Sequence, residues 1–293
     1  MIKGFNLYCG KSFEDMVALC NYTMGSDVFT ALEINYPYEN PSLGNEQIEN
    51  YLKALREITH MYHPCLTLHP PLDLDMAYPN RAIRRAMIDQ YKRVLEFAGG
   101  IGVELIAMHP GTMCQQGFSG HPEFPLRDYI AKKQEQIFAD TVEAMSELAD
   151  FCNGSGIVLA VENLIYDYDI TSNPQKMNRL IAAINKPNVK SLLDIGHSYL
   201  LGTAPDIFLS ELLECPVHFH IHDNNGSADQ HMYPGLGQID FAAFFTTLLT
   251  QDYYGVLMLE TKNDNPEELL ATADYLDRKI AEASIQILNG SPV

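Results

Sequence analysis

Short apolar runs alternate with longer amphipathic stretches along the whole chain. Each run has the length of a β-strand, and the longer stretches place apolar residues at the three- and four-residue spacing of a helix. In the stretch 80–98, for example, Asn80 is a favourable helix cap and apolar residues follow at helical spacing. This alternation predicts β-α units on a parallel sheet. The eight runs are 2–8, 29–36, 65–69, 103–109, 157–162, 189–194, 217–223 and 256–260.

The eight strand-helix units follow one another without interruption. No segment rich in proline, serine or charge separates two halves of the 293 residues, and the sequence has no internal repeat of fixed period. A chain of this length can form one large α/β barrel. We therefore predict a single (β/α)₈ TIM barrel domain that covers residues 1–293.

The seventh run carries a histidine at every second position. His218, His220 and His222 alternate with apolar residues, so the three imidazoles share one face of the strand. Each buried imidazole needs partners for two nitrogens, and a strand face with three of them is therefore typical of a metal site. Asp229 and His231 follow in the next loop.

Six consecutive runs end in side chains that can bind a metal or transfer a proton. Active sites on this barrel are built from the carboxyl ends of the strands and the loops that follow them. Several carboxylates on one rim repel one another unless cations or shared protons relieve the charge. Histidine and carboxylate donors together suit Zn²⁺, Mn²⁺, Co²⁺ or Mg²⁺. These residues are His69, His109, Glu162, Asp194 with His197, His220 with His222, and Glu260.

Composition argues against several classes of protein. The formal net charge of −19, from 19 basic and 38 acidic side chains, repels nucleic acids and anionic membranes. No segment approaches the ~18 apolar residues of a membrane span, and the amino terminus does not resemble a signal peptide. The six cysteines form no Cys-x-x-Cys pair, which favours reduced, mostly buried thiols. We expect a cytoplasmic protein.

The strand ends resemble those of the xylose isomerase-like barrels, a family of sugar isomerases, sugar epimerases and apurinic-site nucleases of the endonuclease IV type. The resemblance covers essentially the whole chain and implies a metal-dependent (β/α)₈ enzyme. It rests on HPPLDL from His69, HPG from His109, VEN at 161–163, LDIGH at 193–197, HIHDN at 220–224, DQH at 229–231 and LET at 259–261.

The resemblance also implies metal ligands at nine positions, each occupied here by a residue able to ligate. The ion that the isomerases and epimerases share would be held by Glu162, Asp194, His220 and Glu260. The nuclease-type cluster adds His69 and His109 for a second ion, and His197, Asp229 and His231 for a third. We expect one to three ions per chain, with Mn²⁺ or Zn²⁺ ahead of Co²⁺ or Mg²⁺.

Other residues near the ligands have separate expected roles. The family pattern gives His222 no fixed role, and we expect it to support the ligands from behind. His218, deeper in the strand, is expected to be an interior histidine with satisfied nitrogens. The predicted substrate-binding residues are His197, His222, Tyr166 and Lys262, the last being the only basic side chain close to a strand end.

The loops around the predicted site are acidic. They carry Asp73 and Asp75 after the third run and Asp167 and Asp169 after the fifth, whereas most basic side chains fall on predicted outer helices. A protein that grips a duplex neutralises phosphates with Lys and Arg near its site. The charge pattern therefore favours a small sugar or polyol over nucleic acid.

The leading hypothesis is a metal-dependent isomerase or epimerase of a sugar or sugar phosphate. In it, Glu162 and Glu260 transfer a proton at the carbon next to a carbonyl. The alternative is an endonuclease IV-type metallohydrolase that cleaves a phosphoester at a di- or trinuclear Zn or Mn site. Neither hypothesis requires a membrane, and both are compatible with a homo-oligomer.

Overall fold

A computed structural model describes residues 1–7, 11–38, 43–112, 126–262 and 265–290, without the side chains of 126–129. Eight parallel strands pair in chain order and close into a barrel. The predicted (β/α)₈ fold is therefore confirmed. The strands are β1 (Ile2–Leu7), β2 (Ala31–Asn35), β3 (Cys65–His69), β4 (Leu105–Met108), β5 (Val158–Glu162), β6 (Val189–Asp194), β7 (His218–Ile221) and β8 (Val256–Leu259).

At least one helix follows each strand. The helices are α1 (Phe13–Thr23), α2 (Asn45–Tyr62), α3 (Arg81–Ile101), α4 (Leu126–Phe151), α5 (Pro174–Ile184), α6 (Ile195–Leu200), α7 (Pro205–Glu211), α8 (Phe241–Leu249) and α9 (Pro266–Leu288), with a 3₁₀ turn at Met24–Ser26. The strand β6 is followed by two helices, α6 and α7. Across the described ranges, none of the helices combines the length and apolar character that a membrane crossing requires.

Element boundaries differ from the sequence expectation by a few residues. The helix α3 begins after Asn80, whose side chain accepts the N–H groups of Ala82 and Ile83, but it ends at Ile101, three residues later than predicted. It stops where Gly102 adopts a left-handed backbone with φ of 79°. The strand β4 is shorter than the predicted run 103–109, so His109 lies in the loop just beyond it. Residue 8, the predicted end of the first run, lies outside the described part.

The barrel interior is divided into a polar and an apolar part. Strands β4 to β6 contribute a buried apolar cluster that includes Ala107, Ala160 and Leu192. On the other side, the register places Glu33 of β2 between Asn6 of β1 and Thr67 of β3, and all three are buried. The polar residues of the interior therefore lie beneath only one part of the rim.

His218 differs from its expectation. It is buried, but neither ring nitrogen has a hydrogen-bond partner among the described residues, and Glu33 Oε2 lies 3.8 Å from its Nε2. Its register neighbours on β6 and β8 are Leu192 and Val256, which offer no polar side-chain atom. Burial, with the nearby His220, lowers the pKa of His218 to about 3, so the ring is neutral. The prediction of a satisfied histidine was wrong.

The cysteines of the described segments are free thiols. Cys20 and Cys152 are buried, and Cys65 and Cys215 are partly buried. Burial raises the pKa of Cys20 to about 12, which keeps this thiol protonated and unreactive. Cys9 and Cys114 lie outside the described residues.

Replacing the cap of α3 should weaken the fold measurably. Asn80→Ala removes the acceptor for two N–H groups at the helix start, and we expect the free energy of unfolding to fall by about 1 kcal/mol. Urea denaturation followed by circular dichroism measures this change. The matched control is Asn45→Ala at the exposed start of α2, which should stay within about 0.5 kcal/mol of wild type. Equal losses in both variants would contradict the assigned cap.

Candidate metal centre

The carboxyl ends of the strands surround a cavity of about 460 Å³. Its wall combines imidazoles and carboxylates with apolar and aromatic side chains. The polar residues of the wall include His69, His109, Glu162, Asp169, His197, Asp229, His231 and Glu260, and the others include Leu72, Leu164, Ile165, Tyr166 and Tyr168. The cavity is large enough for a small polar ligand.

Four side chains from β5 to β8 converge at the base of this cavity. One atom from each of Glu162, Asp194, His220 and Glu260 lies within 4.8 Å of the others. The Nδ1 atom of His220 is 3.0 Å from Glu260 Oε2, 3.3 Å from Glu162 Oε1 and 3.9 Å from Asp194 Oδ2. The register pairs Asp194 directly with His220, which explains why two ligands from neighbouring strands meet.

Two further groups of donors flank this one. His69 and His109 face each other with their Nε2 atoms 3.2 Å apart, and His109 Nε2 is also 3.2 Å from Glu162 Oε2. On the other side, Asp229 Oδ2 lies 2.9 Å from His231 Nε2 and 3.7 Å from His197 Nε2. The nine positions implied by the resemblance therefore lie in three adjacent groups, of which two share Glu162.

Three histidines of the flanking groups are held in the same way. In each, Nδ1 bonds to a backbone carbonyl, which leaves Nε2 directed at the cluster. The pairs are His69 with Pro70 at 2.8 Å, His197 with Asn163 at 2.8 Å and His231 with Glu260 at 2.7 Å. In a neutral ring, Nε2 would then be the free donor atom for a metal ion.

The carboxylates of the site are ionised. Burial disfavours their charge, yet His220 holds the pKa of Glu162 well below its usual range and lowers that of Glu260. Burial likewise disfavours a charge on His197, but Asp194 and then Asp229 outweigh it and raise the pKa of His197 to about 10. Without a bound cation, protonated histidines thus compensate the carboxylates.

Several polar atoms of the cluster have no hydrogen-bond partner among the described residues. They include Glu162 Oε2, Glu260 Oε2 and Asp229 Oδ1, each of which is buried. The first two lie near imidazole nitrogens but without the geometry of a hydrogen bond. Buried carboxylate oxygens of this kind, together with imidazole nitrogens, form the donor set that Zn²⁺ and Mn²⁺ prefer. The residues present therefore fit a divalent cation.

His222 lies behind the cavity wall. Its ring stacks on that of His231 with centroids 4.1 Å apart, and its Nε2 is 3.0 Å from Asp194 Oδ1. A Cβ on Gly196 would lie 1.9 Å from the His222 ring, so only glycine fits at that position. His222 also belongs to the donor group of His197, Asp229 and His231, and its expected supporting role stays a prediction.

The loop that carries Asp229 and His231 is organised by Asp223. The carboxylate of Asp223 accepts the N–H groups of Gly235 and Gly237 at 2.9 Å and that of Ile239 at 3.1 Å. A Cβ on Gly237 would lie 2.3 Å from Asp223 Oδ1, which explains the glycine there. These amides therefore position the loop rather than a ligand.

The predicted substrate-binding residues lie at different places. His197 and Tyr166 line the cavity, and the Tyr166 ring stacks on Tyr168 at 5.0 Å. Lys262 is exposed and outside the wall, and its Nζ donates to the backbone carbonyl of Asp229 at 3.2 Å. His222 is also outside the wall. Two of the four predicted substrate-binding residues therefore line the cavity.

The acidic loops are less exposed than the sequence suggested. Asp73 and Asp167 are exposed, but Asp75 accepts the N–H of Ala77 at 2.9 Å. Asp169 is buried and accepts the N–H of Tyr166. Burial raises the pKa of Asp169 to about 6. Two of the four aspartates therefore accept hydrogen bonds from backbone amides of their own loops.

Sequence reasoning missed the partners that hold the ligands. Asn163 forms two hydrogen bonds with the backbone of Asp194, at 2.7 and 2.9 Å. Glu33 lies 3.3 Å from His220 Nε2. Glu33 could have been noticed because it is the single acidic residue in the apolar run 29–36. No local pattern in the sequence identified Asn163 as a partner of Asp194.

A family model described as "Xylose isomerase-like TIM barrel" matches residues 22–279. The chain belongs to this family. The match covers most of the chain, including all nine implied ligand positions, and it confirms the resemblance drawn from the strand ends.

Several known proteins are similar to this chain in sequence or in fold. Fructoselysine 3-epimerase of Escherichia coli O157:H7 is 25% identical over 42% of this chain and 46% of its own. A solved D-tagatose 3-epimerase-like protein has a TM-score of 0.78 at 22% identity and covers 98% of this chain and 100% of its own. A solved structure of the IOLI protein with a bound zinc atom has a TM-score of 0.65 at 17% identity, with 99% coverage of each chain.

Removing the carboxylate of Asp223 should disorder the ligand-bearing loop. Asp223→Ala leaves the N–H groups of Gly235, Gly237 and Ile239 without their acceptor, and we expect a stability loss of at least about 2 kcal/mol. Chemical denaturation of metal-free protein measures it. The control Asp274→Ala, on the exposed face of α9, should change stability by less than about 0.5 kcal/mol. A loss as small as the control's would contradict this assignment.

Proposed function

We propose that the protein is a metal-dependent sugar isomerase or epimerase. The observation that carries the proposal is the position of Glu162 and Glu260, which both line the cavity and both belong to the four-residue donor group with Asp194 and His220. Two carboxylates with lowered pKa would thereby stand beside a substrate in the cavity and beside one cation position. The sugar epimerases in the family and the zinc-bound relative support this proposal.

The ion would be held by Glu162, Asp194, His220 and Glu260. A divalent cation bound there would supply Lewis acidity, which would make a proton on the carbon beside a substrate carbonyl easier to remove. Zn²⁺ or Mn²⁺ fits the mixed nitrogen and oxygen donors best.

The two glutamates would perform the proton transfers. In the metal-free site His220 lowers the pKa of each despite burial. In the loaded site the cation would keep both carboxylates ionised instead, so each could accept a proton. One would remove the proton from the carbon beside the carbonyl, and the other would return it. Glu162 ends β5 and Glu260 directly follows β8, so two strands separate them and they approach the cavity from different sides. His197 would hold a substrate oxygen.

The wall of the cavity supports a small polar substrate. Along the described part of the wall, carboxylates and imidazoles alternate with apolar side chains, and Tyr166 offers an aromatic surface at the mouth. Lys262, the basic residue expected here, is turned to a backbone carbonyl instead. A sugar or polyol has the hydroxyl groups that such a wall can bind.

The second candidate is a metallohydrolase of the endonuclease IV type. It is favoured by the three adjacent donor groups, in which His69 with His109 and His197 with Asp229 and His231 extend the central group. Two or three ions in this arrangement could stabilise the oxygens of a phosphoester. The net charge of −19 opposes binding to a duplex.

Protein purified without chelator should contain bound metal. We expect at least about half an equivalent of Zn²⁺ or Mn²⁺ by elemental analysis, and removal by chelator should lower the melting temperature because the ion stabilises only the folded state. Glu162→Ala should lose this metal, since Glu162 belongs to two donor groups. Glu57→Ala, exposed on α2, should retain it. Wild-type protein without metal and without a chelator effect would contradict the proposal.

The metal-loaded enzyme should exchange a substrate hydrogen with solvent. A panel of ketoses in D₂O should acquire deuterium at the carbon beside the carbonyl, and Glu260→Gln or Glu162→Gln should slow this exchange by about 100-fold or more. Mass spectrometry and NMR measure it, with Glu57→Ala as the active control.

Other outcomes distinguish the alternatives. Isomerisation without solvent deuterium would indicate a hydride shift and contradict the two-glutamate transfer. Incision of duplex DNA at an abasic site, without turnover of any sugar and lost in His109→Ala or Asp229→Ala, would favour the metallohydrolase.

A further inference from the structure

A second carboxylate system lies beneath the donor group, around Glu33. The side chain of Glu33 points into the barrel from β2 and is fully buried. Its register neighbours both donate to it: Asn6 Nδ2 to Oε1 at 3.1 Å and Thr67 Oγ1 to Oε2 at 3.2 Å. Two imidazoles also approach Oε2: His220 Nε2 lies 3.3 Å from it, and His218 Nε2, at 3.8 Å, is beyond hydrogen-bond distance.

The ring of His220 spans the space between Glu33 and the proposed cation position. Its Nε2 faces Glu33, and its Nδ1 faces Glu162 and Glu260 at 3.3 and 3.0 Å. The two ring nitrogens thus have separate tasks, one toward the barrel interior and one toward the cavity. His69, His197 and His231 are held the other way round, by Nδ1 to backbone carbonyls.

The chemistry of Glu33 decides which nitrogen of His220 carries the proton. An ionised carboxylate can only accept hydrogen bonds, so the nitrogen that faces it must be an N–H donor. A neutral imidazole has one N–H, and if Nε2 carries it, then Nδ1 has the lone pair. A histidine that binds a metal usually gives its other N–H to a carboxylate or carbonyl, and this contact increases its basicity.

We propose that Glu33 is a positioning residue that fixes His220 with its proton on Nε2 and thereby presents Nδ1 to a divalent cation. Glu33 does not line the cavity and does not belong to the four-residue donor group, so it would act through His220. This inference rests on the proposed metal site of Glu162, Asp194, His220 and Glu260.

The test uses Glu33→Gln in the full-length chain. Glutamine keeps the size of the side chain but removes its charge, and Asn6 Oδ1, which has no partner among the described residues, can accept the new amide N–H if the Asn6 amide turns. The variant is therefore expected to fold. We expect its dissociation constant for Zn²⁺, measured by competition with a chelator, to rise by about 10- to 100-fold. The number of ions bound at saturation should not change.

Leu192→Val is the matched control. Leu192 is buried in the apolar part of the barrel interior and contributes no polar contact to His220. It should loosen packing while leaving Zn²⁺ affinity within about threefold of wild type. If both variants lost Zn²⁺ affinity in proportion to their loss of thermal stability, the proposal would be overturned. A general loosening of the fold would then explain the lower affinity.

A spectroscopic readout separates positioning from simple structural support. In ¹⁵N-histidine NMR of the zinc-loaded protein, with the His220 signals assigned by their absence in His220→Gln, the Nε2–H proton should lie far downfield because its acceptor is charged. In Glu33→Gln this proton should move upfield and exchange faster with solvent. An unchanged His220 proton together with unchanged affinity would overturn the proposal.

Three further outcomes would also overturn it. If Glu33→Gln loses one whole equivalent of ion at saturation, then Glu33, His218 and His220, whose donor atoms lie within 4.8 Å of one another, themselves hold a cation. If wild-type protein binds no ion at all, the proposed function fails and this inference fails with it. If wild type and Glu33→Gln bind equally well, the inference fails and the proposed function stands.

Discussion

The burial of several carboxylates around one imidazole is the constraint on which this site depends. Glu33, Glu162, Asp194 and Glu260 all lie within 4 Å of His220. Such charges are expensive to bury unless positive charge compensates them. The protein supplies protonated histidines for this purpose, and a divalent cation would supply more charge in less space. Binding of such a cation would therefore be coupled to stability at the same atoms.

Two of the donor groups have supports of different kinds. The central group stands at the ends of four neighbouring strands, where the barrel register fixes the distances between side chains. The group of Asp229 and His231 stands on a loop, which depends on the carboxylate of Asp223 for its shape. A site built on strands is more rigid than one built on a loop, so the central group is the natural place for the ion that an isomerase or epimerase needs.

The proposed function and its alternative share the same ligands, and what surrounds those ligands separates them. Acidic loops and a net charge of −19 make the mouth of the barrel unfavourable for a polyanion. Two of the four loop aspartates are nevertheless turned inward, Asp75 to an amide of its own loop and Asp169 into the cavity wall. The exposed negative charge at the mouth is thus smaller than a count of aspartates suggests. The sugar proposal therefore depends more on the placement of Glu162 and Glu260 than on this charge.

The sequence by itself determined the barrel and which side chains stand at or just beyond the ends of its strands, but not the exact strand boundaries. Periods of two and of about 3.6 residues are local properties that do not require knowledge of the partners. The same periodicity placed His218, His220 and His222 on one face. Periodicity did not predict that His218 would lie between Leu192 and Val256. It also did not predict that Glu33, 187 residues before His220, would face the Nε2 atom of His220. Only the closed barrel decided these contacts, because it brings together strands far apart in the chain and thereby selects the partner of each nitrogen and carboxylate.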